Sequence, residues 1–301
     1  MTHPEHPAAG LAGLTVVGCG YTGRRLLKLC RELGRDLIGT ARTEDSLAQI
    51  RARGGQALQL DLDAPAAQLP HDCCAGRVLV YMTPPAPEGD TDVRLRRLLD
   101  TLPALPAGLV YLSTTGVYGD TGGAVVTEYT PPAPASERGR RRLDAETAVQ
   151  RWGDETGVPV RILRVPGIYG PGRLPLDRIR EGAPVVRAAE AGPGNRIHVD
   201  DLAAACLAAV DYSGPHRVFN LGDGDHASMT EYFLAVAEAA GLPPPPELPL
   251  ETLLAHVSPA MRSFLVESRR VDTTRMRSAL GFAPHYASLA DGIDASLSDR
   301  D

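Results

Sequence analysis

The chain has 301 residues, 43% hydrophobic and 23% charged, with 31 basic and 37 acidic side chains and a formal net charge of −6. That length buries a full core as one large α/β domain or as a domain with a smaller companion. The acidic balance excludes wholesale nucleic-acid binding, which shows as a basic excess or a broad basic face.

In chain order, short apolar runs alternate with helical periodicity. The pattern predicts a strand over 14–17, a helix over 23–33, a strand over 36–40, a helix over 45–53 and strands over 57–60 and 78–82. A helix over 91–102 ends before Pro103, and a strand follows over 109–112. Such alternation means a parallel sheet, a doubly wound α/β fold. After Thr121 comes Gly- and Pro-rich loop, then a polar helix from Ser136, its expected N-cap, to Thr156, and a strand over 160–163. Beyond Pro166 short helices are expected over 174–181, 199–211, 230–240 and 273–280, with Asp200 as an N-cap and brief strands near Val185 and Val218. The division is then a loose tail over 1–13, a dinucleotide-binding domain over 14–165, and a mainly substrate-side subdomain over 166–301 with segments returning to the sheet. The tail has no cationic start and no apolar core, and no other stretch stays apolar long enough to span a bilayer. The five cysteines show neither CxxC spacing nor a framework pattern. Both points suit a reduced cytoplasm, no structural zinc and no membrane partner.

Gly18-Cys19-Gly20-Tyr21-Thr22-Gly23 directly follows the first apolar strand and opens a helical pattern, the context a dinucleotide-binding turn requires. Gly18 permits the tight turn, Gly20 lets the backbone approach a pyrophosphate, and Gly23 allows close helix–sheet packing. An NAD-selective chain places an acid about 20 residues on to hold the ribose hydroxyls. Here Gly39-Thr40-Ala41-Arg42 stands instead, so Arg42 either grips a 2′-phosphate, favouring NADP(H) over NAD(H), or begins a solvated helix.

These residues resemble the extended short-chain dehydrogenases/reductases, in their NAD-dependent epimerase/dehydratase branch. The likeness continues in Leu112-Ser113-Thr114-Thr115-Gly116-Val117-Tyr118-Gly119-Asp120, in Leu163-Arg164 followed by Pro166 and Tyr169-Gly170-Pro171-Gly172, and in Ile197-His198-Val199 followed by Asp201-Leu202. It implies a Rossmann domain and a C-terminal part that receives a substrate, often a nucleotide sugar. By position it puts Asp61 and Leu62 beside the adenine, Tyr81 and Thr83 near the inner ribose, and Pro166 among the cofactor contacts. Thr114 matches the hydroxyl that holds the reacting oxygen, with Thr115 and Tyr118 as further catalytic candidates. Strand-end packing is the competing account of both threonines.

The departure lies in the helix after Ser136. Where the family carries YxxxK, with both side chains on one face, this chain has Arg138 for the tyrosine and Arg142 for the lysine. Arg142 retains a charge able to bind ribose or phosphate, whereas Arg138 releases no proton at neutral pH. Tyr118, Tyr129 and His198 are substitute donors in competition with packing roles. Arg138, Arg173 and Arg196 are expected to grip an anionic substrate, against the alternative of surface salt bridges. No acid or His spacing suggests a metal. The first reading is an NADP(H)-dependent oxidoreductase or epimerase/dehydratase with a non-standard site, acting on a carbonyl or sugar-like molecule. A non-catalytic NADP(H)-binding sensor is the rival, and the family's habit of pairing through helices admits a homodimer.

Overall fold

Strands too short to pair alone are held in one layer by the helices that connect them. The computed structural model describes residues 12–255, 257, 262 and 265–299. The expected tail lies, apart from residues 12 and 13, outside the described residues. The main strands are β1 (Leu14–Val17), β2 (Leu37–Ala41), β3 (Gln56–Gln59), β4 (Val78–Tyr81) and β5 (Gly108–Thr114). After the two-residue β6 (Val125–Val126) comes β7 (Val160–Val165), then the short β8 (Gly167–Tyr169), β9 (Val185–Val186) and β10 (Arg196–His198), and β11 (Val218–Asn220). Seven of these form a parallel sheet in the order β11-β7-β5-β4-β1-β2-β3. The chain thus reverses its direction across the sheet between β1 and β4, where open α/β sheets bind ligands at the carboxyl ends of their strands.

Helices α1 (Tyr21–Glu32), α2 (Glu44–Ala52), α3 (Val93–Asp100), α4 (Glu137–Thr156), α5 (Leu176–Arg180) and α6 (Val199–Asp211) follow in order. On one face of the sheet Leu26, Leu27 and Cys30 of α1 share a core with Leu202, Cys206 and Ala209 of α6. On the other, Leu95 and Leu98 of α3 pack with Ala145 and Val149 of α4. A third core joins Tyr169, Val185 and residues of α7 (Met229–Ala239) to Leu289 and Ile293 of the helix Leu289–Ser298. All five cysteines are buried and unpaired. No helix among the described residues is long and apolar enough to cross a membrane.

Most expected elements appear with ends shifted by a residue or two. Helix α3 is two residues shorter than expected at each end, and at its start Asp92 caps it by accepting from the Leu95 amide at 3.1 Å. At the start of α6 the expected cap moves. His198 holds that place, its Nδ1 accepting from the Asp200 amide at 3.3 Å, and Asp200 lies in the first turn, because β10 runs straight into the helix. The pairs β8 with β10 and β6 with β13 (Arg270–Val271), and β9 with β12 (Glu247–Leu248), are too short to show a period of two, and of their strands the sequence predicts only β9, near Val185.

A buried ion pair ties three elements together. Arg164 on β7 donates through Nη2 to Glu146 Oε2 of α4 at 2.7 Å, the two side chains being 5% and 1% exposed. Ser113 Oγ of β5 donates to the same carboxylate at 2.5 Å, and Arg164 Nη1 reaches the Tyr118 hydroxyl at 2.8 Å. Burial works against the guanidinium's charge, but the Glu146 hydrogen bonds and charge outweigh it and raise the Arg164 pKa. Removing one member leaves the other charge stranded, so Arg164→Met should cost about 3–5 kcal/mol in urea unfolding, and Arg164→Met with Glu146→Met should recover most of it. A single-variant loss below about 1 kcal/mol, the range of surface pairs, shows that the pair does not hold these elements.

Candidate active site

The carboxyl ends of β1, β2, β4, β5 and β7 meet around the reversal point, and the chain's most informative residues sit there. At the glycine turn, Gly18 adopts φ +86°, and a Cβ on it would fall 2.5 Å from Thr83 Oγ1 and 2.9 Å from the Thr83 backbone nitrogen. Its amide donates to Thr40 Oγ1 at 3.0 Å, and the Cys19 amide donates to the Thr40 carbonyl at 2.8 Å. Gly23 packs so closely that a Cβ would meet Cys19 Sγ at 3.0 Å and Val16 Cγ1 at 3.2 Å. Gly20 is different. A Cβ there meets only the Gly18 carbonyl, at 4.0 Å, and as N-cap of α1 it offers no side chain to the first-turn amides. Open space before uncapped amides at a helix N-terminus is a cradle for an anion, and these residues fit the pyrophosphate of a dinucleotide.

A second turn closes on this one. The Tyr21 hydroxyl donates to the Pro171 carbonyl at 2.9 Å, and the Arg173 guanidinium lies 3.9 Å from the centre of the Tyr21 ring. Arg173 is exposed and has no ion pair among the described residues. At the end of β2, Arg42 is 65% exposed and its Nη1 stands 3.7 Å from Asp63 Oδ2. Asp63 is held by Arg94 through bonds of 2.7 and 2.5 Å, which keep its carboxyl below the ordinary range. Asp61 is exposed and accepts from the Asp63 amide, whereas Leu62 is buried in the core behind it. Tyr81 is fully buried with its ring 5.9 Å from that of Tyr111, so its side chain belongs to the core and only its backbone is left for a ribose. Thr83 abuts Gly18, and Pro166 is half-buried between β7 and β8.

At the end of β5, Thr114 is half-buried and caps the following turn, its Oγ1 accepting from the Gly116 amide at 3.1 Å. Acceptance leaves the hydroxyl proton free to donate. Helix α4 begins against this turn, since a Cβ on Gly139 would fall 2.7 Å from Pro134 and 3.1 Å from the Gly116 carbonyl. Arg138 precedes Gly139 in the first turn of the helix. It is exposed, and its side chain makes no hydrogen bond or ion pair among the described residues. Partial desolvation, then the charges of Arg142 and Arg141, lower its pKa.

Other expected site residues have internal duties. Arg142 is buried, and its Nη1 donates to the Leu112 carbonyl at 2.8 Å and the Tyr111 hydroxyl at 3.2 Å. Arg196, expected to grip a substrate, is 5% exposed, donates to the Ala227 and Ser228 carbonyls and lies over the Tyr232 ring. It is a packing residue, because its planar fork matches carbonyls at the start of α7. Tyr118, considered as a proton donor, is 2% exposed, and its hydroxyl is engaged by Arg164, Asn220 and Thr127. Burial raises its pKa further, against the opposing Arg164 charge. Thr115 is buried, with its carbonyl accepting from Arg269. His198 is buried between the Asp200 amide and Ser296 Oγ, with its pKa lowered by desolvation, and Tyr129 is 81% exposed under Arg275.

Sequence reasoning missed Arg269. Its Nε donates to the Gly119 carbonyl at 2.9 Å and its Nη1 to the Thr115 carbonyl at 3.0 Å, clamping the Thr114 turn from a distant part of the chain. No local pattern around it carries that signal.

Residues 14–222 match the model of the NAD dependent epimerase/dehydratase family. The chain belongs to this family. The protein YeeZ of Escherichia coli is 26% identical, over 77% of this chain and 85% of that protein. The dTDP-6-deoxy-L-talose 4-dehydrogenase (NAD(P)(+)) of Kitasatospora kifunensis is 30% identical over 64% of this chain and 63% of its own. The match to protein y4nG of Sinorhizobium fredii, 28% identical over 60% of this chain, spans 50% of that protein's length. A solved structure of a functionally unknown conserved protein from Silicibacter pomeroyi superposes with a TM-score of 0.80, at 32% identity, over 96% of this chain and 99% of that one. The cofactor class of the family is a nicotinamide dinucleotide, and the uncapped glycine turn is where this chain's residues fit it.

The two glycines separate binding from folding. Gly20→Ala should stay within about 1 kcal/mol of the parent's stability, as expected at an N-cap, yet weaken dinucleotide binding about tenfold or more, roughly 1.4 kcal/mol. Gly23→Ala should lower the melting temperature first. Calorimetric titration beside thermal unfolding reads both, and unchanged affinity in Gly20→Ala removes the cradle.

Proposed function

We propose that the protein is an NADP(H)-preferring oxidoreductase acting at a carbonyl or carbinol carbon of a sugar-like, anionic substrate, of which nucleotide sugars are the leading class. The observation that carries this reading is the open glycine cradle at the carboxyl ends of the strands, with the Thr114 hydroxyl at the end of β5 and Arg138 in the first turn of α4, the helix whose Gly139 packs on Gly116. When bound, the nicotinamide dinucleotide supplies or accepts the hydride.

The protein's own groups orient the reacting oxygen. Thr114 Oγ1 takes the Gly116 amide and directs its proton to that oxygen. Arg138 stands where the resemblance puts a tyrosine, and it stays charged at neutral pH because guanidinium has a pKa above roughly 12. Its role is electrostatic: it stabilises negative charge developing on the oxygen, as oxyanion-binding groups do, while solvent delivers or removes the proton. Arg173, stacked on Tyr21, offers its charge to an anionic group of the substrate. The names of relatives such as the dTDP-sugar dehydrogenase support a diphosphate-bearing molecule. The binding-only alternative draws no support from the family.

The preference for NADP(H) rests on Arg42. It is exposed and stands 3.7 Å from Asp63, whose carboxylate is engaged by Arg94, so a 2′-phosphate would meet an exposed guanidinium beside an acid already paired. Arg42→Ala should weaken NADPH by about tenfold, the loss of one charge-assisted pair, and leave NADH nearly unchanged. Equal losses for both dinucleotides overturn the assignment. For the chemistry, Thr114→Ala should lower kcat by about 10²-fold, the scale of one oxyanion donor, with NADPH affinity preserved. Single-turnover oxidation of NADPH, followed at its absorbance band with a panel of nucleotide-sugar carbonyls, provides the measurement. Full activity in Thr114→Ala rejects its role.

A further inference from the structure

We propose that a groove on the outer side of α1, separate from the dinucleotide cradle, binds a phosphate chain of about three phosphates. The groove encloses about 360 Å³ between α1 and the end of α2. Its walls carry Arg24, Lys28 and Arg31, at i, i+4 and i+7 on one helix face, and Arg53 from beyond α2. The side chains of Arg24, Lys28 and Arg31 make no hydrogen bond or ion pair among the described residues. Arg53 reaches only the Gln49 carbonyl, at 3.3 Å. Arg25, at the rim, is taken by Asp299 at 2.7 Å and Asp200 at 3.6 Å. Glu32 is the acid on the lining.

Like charges at i, i+4 destabilise a helix by a few tenths of a kcal/mol, and this chain is acidic overall, so four cations lining one groove without a carboxylate answering each of them imply an anion from outside. The spacing chooses its shape. Seven residues of helix rise about 10 Å from Arg24 to Arg31, too long for one orthophosphate and matched to a row of phosphates. The dinucleotide's pyrophosphate meets backbone amides at the amino end of α1, whereas the groove runs along side chains toward the carboxyl end. Tyr21 lies at the boundary of the two.

Lys28 is the single lysine among the 31 basic residues, which makes it its own reporter. The whole 301-residue chain is saturated with NADPH to fill the cradle, and Lys28 acylation by an amine-reactive ester is followed by mass spectrometry of its peptide. Sodium tripolyphosphate at ten times its Kd should slow the reaction about tenfold by mass action. Orthophosphate at the same concentration should have little effect. Arg24→Ala with Arg31→Ala should abolish protection while retaining Lys28, the melting temperature and NADPH affinity. Protection by tripolyphosphate and ATP alike identifies the phosphate chain as the ligand, and stronger protection by ATP identifies a nucleotide as its source. No protection by tripolyphosphate, protection that survives the double variant, or protection by duplex DNA alone overturns the proposal. Should NADPH not bind, the same acylation run without it reads the groove independently of the proposed function.

Discussion

The arrangement of the site depends on one buried interaction, the Arg164–Glu146 pair. It joins β7 to α4, and through Ser113 and Tyr118 it also fixes β5 and the turn that follows. Desolvating two charges costs several kcal/mol, so such a pair is a weak source of net stability. What it supplies here is register. With Glu146 of α4 on Arg164, the same helix seats Gly139 against the Gly116 carbonyl. Arg269 clamps the same turn through the Thr115 and Gly119 carbonyls, so the turn is held from inside and from a remote segment.

The cofactor cradle is likewise composite. Its glycines come from one turn, but Thr40 receives the Gly18 and Cys19 amides, Thr83 fills the space against Gly18, and the Gly170–Arg173 turn docks on Tyr21. A parallel sheet makes this possible, because every strand delivers its carboxyl end to the same edge while the chain passes from one side of the reversal point to the other.

The arginine run after Ser136 shows how far like residues can diverge. Arg140 pairs with Asp90 at 2.7 Å, and Arg141 donates to the Gly89 carbonyl at 2.5 Å, so two neighbours fasten the loop after β4. Arg142 turns under Tyr111, and Arg138 alone keeps an exposed guanidinium without a described partner. A helix advances each residue by about 100°, so consecutive identical side chains must meet different surroundings. Sequence position aligned Arg138 and Arg142 with a catalytic pair but could not tell which of the run would be spent on the loop.

By itself the sequence determined the alternation of strand and helix, the parallel sheet, the glycine turn with a separate duty for each glycine, and the family to which the chain belongs. These are local signals, written in apolar periods and in residues whose backbone freedom is distinctive. The tertiary structure decided the rest. It drew Arg196, Tyr118 and His198 into packing roles, moved the helix cap from Asp200 to His198, and brought Arg269 to the site from more than a hundred residues away. It also paired strands of two or three residues that have no readable period. Burial and hydrogen-bond partners are properties of what surrounds a side chain, and for an arginine those surroundings come mostly from distant parts of the chain.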